Sequence, residues 1–310
     1  MLRAFTPEDL RRARKSWQFN RFVLLHRILA QTSQADAWKA DLSEELQALE
    51  LVAPKISPNP HSVYKQIMPP FLMRTPRASL CGHTVKHTES GDSSWKLLEV
   101  YNWPDLIPLV SAVTGWPRVH RIPMRTESGF EINGKVNFYD ARELSHLGWH
   151  FDKVFNLRGR QIVCVLTLRN DWDTVAAPRP PTLKVLMPGS RRIESAYLGG
   201  FSMSLHDPDA VFHRVLPFEC PSRYAGQPWK RSVLVMRFTD DPTPVMPLMQ
   251  TLGKTRYLSR HAVYFARVGD VKWCCISVAT VLLLAIVVKT VFFRTYFANK
   301  KGGEGVVVVF

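Results

Sequence analysis

The run Gly148-Trp149-His150-Phe151-Asp152 sets an imidazole and a carboxylate two positions apart. Side chains on a strand alternate faces with period two, so on a strand both groups would point the same way. Two ligands on one face, joined by a third from elsewhere, form a 2-His-1-carboxylate triad, which holds Fe(II) and leaves positions open for substrates. A three-residue pattern arises easily by chance. It gains weight here from two later segments.

The first is Ala210-Val211-Phe212-His213-Arg214-Val215, an apolar strand pattern with a histidine in it. A buried neutral imidazole needs a partner, and a metal is one. His213 follows Asp152 by 61 residues, room enough for several strands. His206 competes for the role, but it stands in the turn-like His206-Asp207-Pro208-Asp209. The second segment is Arg231-Ser232-Val233-Leu234-Val235-Met236, 18 residues after His213. A dicarboxylate co-substrate such as 2-oxoglutarate chelates iron through its 2-oxo acid end and needs a cation for its other carboxylate. The guanidinium fork of Arg231 suits that carboxylate bidentately. Lys230 is its rival, but the two neighbours face opposite ways, so one of them at most can serve.

The elements that must position these groups can be read from hydrophobic periodicity. Residues 1–53 read as helical: Thr6-Pro7-Glu8-Asp9 is a capping box with proline at the first helical position, the first helical stretch runs to Gln31, and Ser43-Glu44-Glu45 starts a second helix through Leu51. Residues 54–94 are rich in Pro, Ser, Thr and His and read as loops and short pieces. Asp105–Thr114 reads as a helix closed by Gly115. From Val119 the period changes to two. Strands are expected at Val119–Met124, Phe130–Ile132, Val136–Tyr139, Trp149–Asp152, Arg160–Leu168, Leu183–Met187, Phe201–Leu205, Val211–Val215 and Ser232–Phe238, with a hairpin turn at Asn133-Gly134. Many short strands without alternating helices indicate a jelly roll or sandwich.

The chain has 310 residues, 46% of them apolar, and carries a net charge of +15 from 41 Lys and Arg against 26 Asp and Glu. Its basic residues are scattered, with no long stripe interleaved with aromatics, so nucleic acid is not the expected partner. Five cysteines without C-x-x-C spacing argue against a disulfide framework or a zinc site and fit a reducing compartment. Trp273 to Phe293 is a 21-residue stretch whose one charge is Lys289. At about 1.5 Å per residue it matches a hydrocarbon core of about 30 Å. The expectation is a single-pass C-terminal tail anchor in a membrane, with the bulk of the chain in the cytosol.

Trp103 to about Pro242 resembles the Fe(II)/2-oxoglutarate-dependent oxygenase superfamily, and more narrowly its small-molecule-hydroxylase branch. The blocks that carry the resemblance are Asn137-Phe138-Tyr139, Leu147-Gly148-Trp149-His150-Phe151-Asp152 and His213-Arg214-Val215-Leu216-Pro217, followed by arginine on the next strand. The resemblance implies iron ligation by His150, Asp152 and His213, binding of the distal 2-oxoglutarate carboxylate by Arg231, and help from Tyr139 or Asn137 on the preceding strand. It implies Fe(II) as cofactor, with 2-oxoglutarate and O2 as co-substrates. The retained aspartate implies hydroxylation, since halogenases of the superfamily carry a small residue there. Two departures stand out. The loop from Asn170 to Pro181 lacks the G-G-x-[FL] turn, and the insert Glu219–Pro228 is longer than usual.

The resulting expectation is a mostly β core with N-terminal helices (α+β): a double-stranded β-helix of jelly-roll or cupin-like type, plus one C-terminal transmembrane helix. Its parts are an N-terminal helical and loop region (1–95), the oxygenase domain (96–247), a basic connector (248–272), the span (273–293) and a short tail (294–310). The expected activity is a 2-oxoglutarate-dependent dioxygenase acting on a small molecule, lipid or protein. The competing expectation is a non-catalytic or 2-oxoglutarate-independent cupin-like metal-binding protein.

Overall fold

Thr6 caps the first helix as its sequence predicts. Its hydroxyl accepts from the Asp9 amide at 3.1 Å while the Asp9 carboxylate accepts from the Thr6 amide at 3.2 Å. In the computed structural model this helix, α1, spans Pro7–Asn20. The model describes residues 3–29, 32–53, 55–56, 62–67, 96–122, 124–125, 131–132, 134–152, 157–175, 178–221, 228–246, 257, 260–283, 286 and 290. They fall into two compact units, Met1–Pro244 and Val245–Phe310.

The expected first helical stretch to Gln31 stops early. Arg21 takes a left-handed conformation (φ 54°), and the chain then enters a strand, β1 (Phe22–Leu25). The second helix, α2 (Ser33–Val52), starts ten residues before the expected Ser43, because the Thr32 hydroxyl caps it by accepting from the Ala35 amide. Ala35, Trp38, Leu42, Leu46 and Leu49 form its buried face at helical spacing. The segment expected to hold loops contributes β2 (Lys55–Ile56) and β3 (Ser62–Ile67). Then come α3 (Lys96–Tyr101) and α4 (Leu106–Thr114), the latter closed by Gly115 at φ 73° as expected.

The rest of the first unit is mainly strands, with 3-10 turns at Ala141–Glu143 and Asp171–Thr174: β4 (His120–Arg121), β5 (Met124–Arg125), β6 (Glu131–Ile132), β7 (Lys135–Asp140), β8 (His146–His150), β9 (Gln161–Asn170), β10 (Leu183–Leu186), β11 (Ile193–Ala196), β12 (Met203–His206), β13 (Phe212–Val215) and β14 (Lys230–Thr239). β6 pairs with β5, and Asn133 of the expected hairpin lies outside the described residues.

The strands pair in the order β1-β12-β9-β14-β7-β3-β8-β13-β10-β11. β3 pairs with β7 on one side and β8 on the other, so it joins a larger sheet to a smaller one. The result is a jelly-roll-like half-barrel, with β1 and β11 at its two ends. β14 is buried along both faces, and alternation sorts its side chains. Leu234, Met236 and Phe238 face the outer core, where α1, α2 and α4 pack and Trp17 meets Trp116 edge-on at 6.4 Å. Arg231, Val233 and Val235 take the other face and line the inner pocket.

The C-terminal part of the expected fold class is corrected. Among the described residues no helix is long and apolar enough to cross a membrane. The uninterrupted described helix there covers 271–283. Trp273, expected to sit at a membrane interface, packs its ring on Phe265 at 6.0 Å, across the turn at Gly269 (φ 76°). Apolar composition over 273–293 set the expectation, and part of that range lies outside the described residues. The membrane localisation loses its support.

Candidate metal centre and anion pocket

His150 and His213 face each other across an antiparallel pair. They are register partners on β8 and β13, with ring centroids 4.3 Å apart. β8 ends at His150, so Asp152 lies two residues past the strand, yet the alternation continues. Trp149 and Phe151 turn outward onto Phe212, at 5.3 and 4.9 Å between ring centroids, while His150 and Asp152 turn inward. The expected same-face pair is therefore present, although the strand ends two residues before the expected Asp152.

One ligand atom each from His150, Asp152 and His213 lies within 4.8 Å of the others. His150 Nε2 is 3.6 Å from Asp152 Oδ1, and His213 Nε2 is 3.4 Å from Asp152 Oδ2. Such separations are long for hydrogen bonds and suit donors that converge on a cation between them. The other ring nitrogens fix the tautomers. His150 Nδ1 donates to the Gly148 carbonyl at 2.7 Å, and His213 Nδ1 approaches the Val211 carbonyl at 3.4 Å. Each Nε2 lone pair is thus left facing the centre.

His206 is also at the site. It ends β12 instead of opening a turn, is 2% exposed, and places Nε2 3.0 Å from Asp152 Oδ2. Arg237 approaches from the other side: it donates to the Asp152 backbone carbonyl and sets Nη2 3.5 Å from Oδ1. Burial lowers the His150 pKa, with the neighbouring His213 adding to it, and lowers that of His206 to about 4. Burial opposes ionisation of Asp152, but the neighbouring His150, His206 and His213 outweigh it and hold the carboxyl well below its ordinary range. Neutral His150 and His206 beside an ionised Asp152 suit a divalent cation at this site.

The other end of the pocket is cationic. Arg231, on the inner face of β14, is 2% exposed, and its Nε has no hydrogen-bond partner. No carboxylate is paired with it among the described residues. Its guanidinium lies 4.4 Å from the Tyr139 ring and 5.6 Å from Phe218, and burial brings its pKa down to about 10. A buried guanidinium without a counter-charge is costly unless an anion joins it. Lys230 is occupied elsewhere: its Nζ sits 2.6 Å from both Glu50 and Asp140. Asn137 and Tyr139 share the inner face of β7 and line the same pocket. Gln66 donates to Asn137 at 2.7 Å, and the Tyr64 ring stacks on Tyr139 at 6.0 Å. The cavity between the two ends holds about 610 Å³ of empty space, mouth included, and its walls are mostly apolar.

Two groups at the site escaped the reading of the sequence. Lys135 lines the pocket from β7, and Arg237 grips Asp152 from β14. A signal for both was available: Lys135, Asn137 and Tyr139 share one parity on β7, and Arg231 and Arg237 share one on β14.

No family model matches this chain, and no curated protein matches it. Solved structures do. The non-heme alpha ketoglutarate dependent epimerase SnoN from nogalamycin biosynthesis aligns over 76% of this chain and 84% of its own, at 13% identity and a TM-score of 0.50. SnoN in complex with Fe3+, alpha ketoglutarate and nogalamycin RO aligns over 76% and 85%, at 12% identity and a TM-score of 0.51. This chain shares their fold. A Pseudomonas putida prolyl-4-hydroxylase also aligns, over 74% of this chain and 98% of its own, at 14% identity and a TM-score of 0.46. At such identities the likeness is one of backbone architecture, and the chemistry has to be argued from the side chains of the pocket itself.

Proposed function

We propose that this chain is an Fe(II)- and 2-oxoglutarate-dependent dioxygenase that hydroxylates its substrate. The observation that carries the reading is the two-ended pocket. His150, Asp152 and His213 converge at one end, and Arg231 stands buried at the other with no carboxylate beside it among the described residues. A metal at the first and a carboxylate at the second answer both unsatisfied ends with one chelating dicarboxylate. With 2-oxoglutarate and O2, Fe(II) supplies an oxidant able to break a C–H bond, with succinate and CO2 as co-products.

The protein's part is positioning. His150 and His213 present Nε2 because backbone carbonyls take Nδ1. Asp152 is steadied by His206 and Arg237. Arg231 offers its fork to the distal carboxylate, with Tyr139 and Asn137 beside it. The apolar walls, Val165, Val233 and Val235 among them, exclude water from the reacting groups. A carboxylate ligand at Asp152 occupies the position a halide would need, which favours hydroxyl transfer.

Anaerobic addition of Fe(II) and 2-oxoglutarate to the folded protein tests this reading. The expected result is a weak visible charge-transfer band that Arg231→Ala removes, and succinate release once O2 is admitted. A folded protein that binds the metal but shows neither band nor succinate would favour the 2-oxoglutarate-independent alternative.

A further inference from the structure

The pocket carries more positive charge than its proposed ligands can balance. Among the described residues that line it, Asp152 is the single carboxylate, and Arg231 and Lys135 are both cations. A divalent metal and Arg231 bring three positive charges. Asp152 and the two carboxylates of 2-oxoglutarate cancel those three. Lys135 remains.

The register places this surplus. Lys135 lies opposite Val235, Val235 opposite Val165, and Val165 opposite Ser204, so one row crosses β7, β14, β9 and β12; all four residues line the pocket. The row of Tyr139 and Arg231 lies four residues away along the strand, about 13 Å at 3.2–3.4 Å per residue. On the other side, the next inward row holds Arg237, Val163 and His206. Lys135 therefore sits toward the metal end, away from Arg231. It makes no hydrogen bond or ion pair among the described residues.

We propose that Lys135 is the seat for an anionic group on the substrate itself, so that the substrate class is an apolar body bearing a carboxylate or phosphate monoester. The proposal rests on the oxygenase reading, which fixes the charges already balanced. The apolar side chains of Val235 and Val165 next to Lys135 supply a surface for the body, and the amine supplies the counter-charge. A neutral substrate would leave the half-buried amine facing only Asp152, which is already committed to the metal.

Calorimetric titration of the full chain, loaded with Mn(II) and 2-oxoglutarate, tests this with matched pairs: phenylacetate against phenylacetamide, octanoate against octanamide, and octyl phosphate against octanol. Succinate release from the Fe(II) form is followed in parallel. At least one acid should bind 10-fold or more tighter than its neutral partner. Lys135→Met should abolish that preference without weakening 2-oxoglutarate, and Lys135→Arg should restore most of it. Thermal melting of both variants confirms that they are folded. Equal binding of acids and neutral partners, or binding of neither, overturns the proposal. So does a Lys135→Met protein that keeps the acid preference but loses affinity for 2-oxoglutarate, which would make Lys135 a co-substrate residue. Acid preference that depends on Lys135, in a protein that takes up no 2-oxoglutarate, would keep the anion seat and remove the oxygenase reading.

Discussion

His206 Nε2 stands 3.0 Å from Asp152 Oδ2, and both side chains are buried or nearly so. The hydrogen bond leaves Oδ1 as the less encumbered oxygen and fixes the plane of the carboxylate. His206 acts on the metal through Asp152, as a positioning residue. Partners of this kind typically carry about 10–100-fold in metal affinity. His206→Ala should weaken Mn(II) binding by about that factor, while His206→Gln, which keeps an N–H donor, should retain part of it. The readout is a metal titration followed by electron paramagnetic resonance. Unchanged affinity in both variants would show that Asp152 is held without His206.

Arg231 is a buried cation with no carboxylate beside it among the described residues, so the protein without ligand bears its desolvation cost. Arg231→Met removes that cost along with the anion seat. The ligand-free variant should melt at or above the wild-type temperature. The wild type should gain about 2.7 kcal/mol at 2-oxoglutarate concentrations 100-fold over Kd, and the variant should gain nothing. A variant still stabilised by 2-oxoglutarate would place the distal carboxylate elsewhere.

Period-two alternation made the inner faces of β7, β13 and β14 legible, and with them Asn137, Tyr139, His213 and Arg231. It did not reveal β1 or β3, because short strands next to long helices carry too few residues for a period to register. The strand β1 depends on a left-handed turn at Arg21, a residue type that does not advertise one. His206 was discounted because His-Asp-Pro-Asp has turn chemistry, yet the turn begins only after it, at Asp207, whose carboxylate takes the Asp209 amide at 2.8 Å. The choice between Lys230 and Arg231 could not be made from spacing, since it turns on Glu50 and Asp140, which are distant in the chain. Membrane spanning was over-read from hydropathy alone: among the described residues no helix is long and apolar enough to cross a membrane.

Acid should destabilise the metal-free protein over a defined window. In the folded state burial holds His206 at about 4 and His150 below its usual value. In the unfolded chain each would titrate near 6.5. Between those values the unfolded chain binds protons that the folded one excludes, so stability rises with pH. It is fully present above about 6.5 and declines toward pH 4, by on the order of 1 kcal/mol per pH unit for each such imidazole. Asp152, held well below its ordinary range, is ionised in both states down to about pH 5; its own contribution is lost below that. Urea midpoints measured from pH 8 to 5 should fall accordingly, and His206→Gln should flatten the slope. A level profile in the wild type would mean that these imidazoles titrate normally.

Lys230 and Arg231 are neighbours with opposite tasks, and their variants should separate stability from binding. Lys230 Nζ lies between Glu50 of α2 and Asp140 of β7, with all three side chains largely buried. Desolvation disfavours the lysine charge, but both carboxylates outweigh it and raise its pKa, so the amine stays protonated. Removing one member of such a cluster strands the others. Lys230→Met should therefore cost about 3–5 kcal/mol, read as a lower urea midpoint, and a Glu50→Gln partner change should recover part of the loss. Because the side chain points away from the pocket, the affinity for 2-oxoglutarate should stay within about two-fold at temperatures where the variant is folded. Arg231→Met should show the reverse pattern, with stability kept and 2-oxoglutarate binding lost. If Lys230→Met abolished 2-oxoglutarate binding in a folded protein, the assignment of the anion seat to Arg231 would fail.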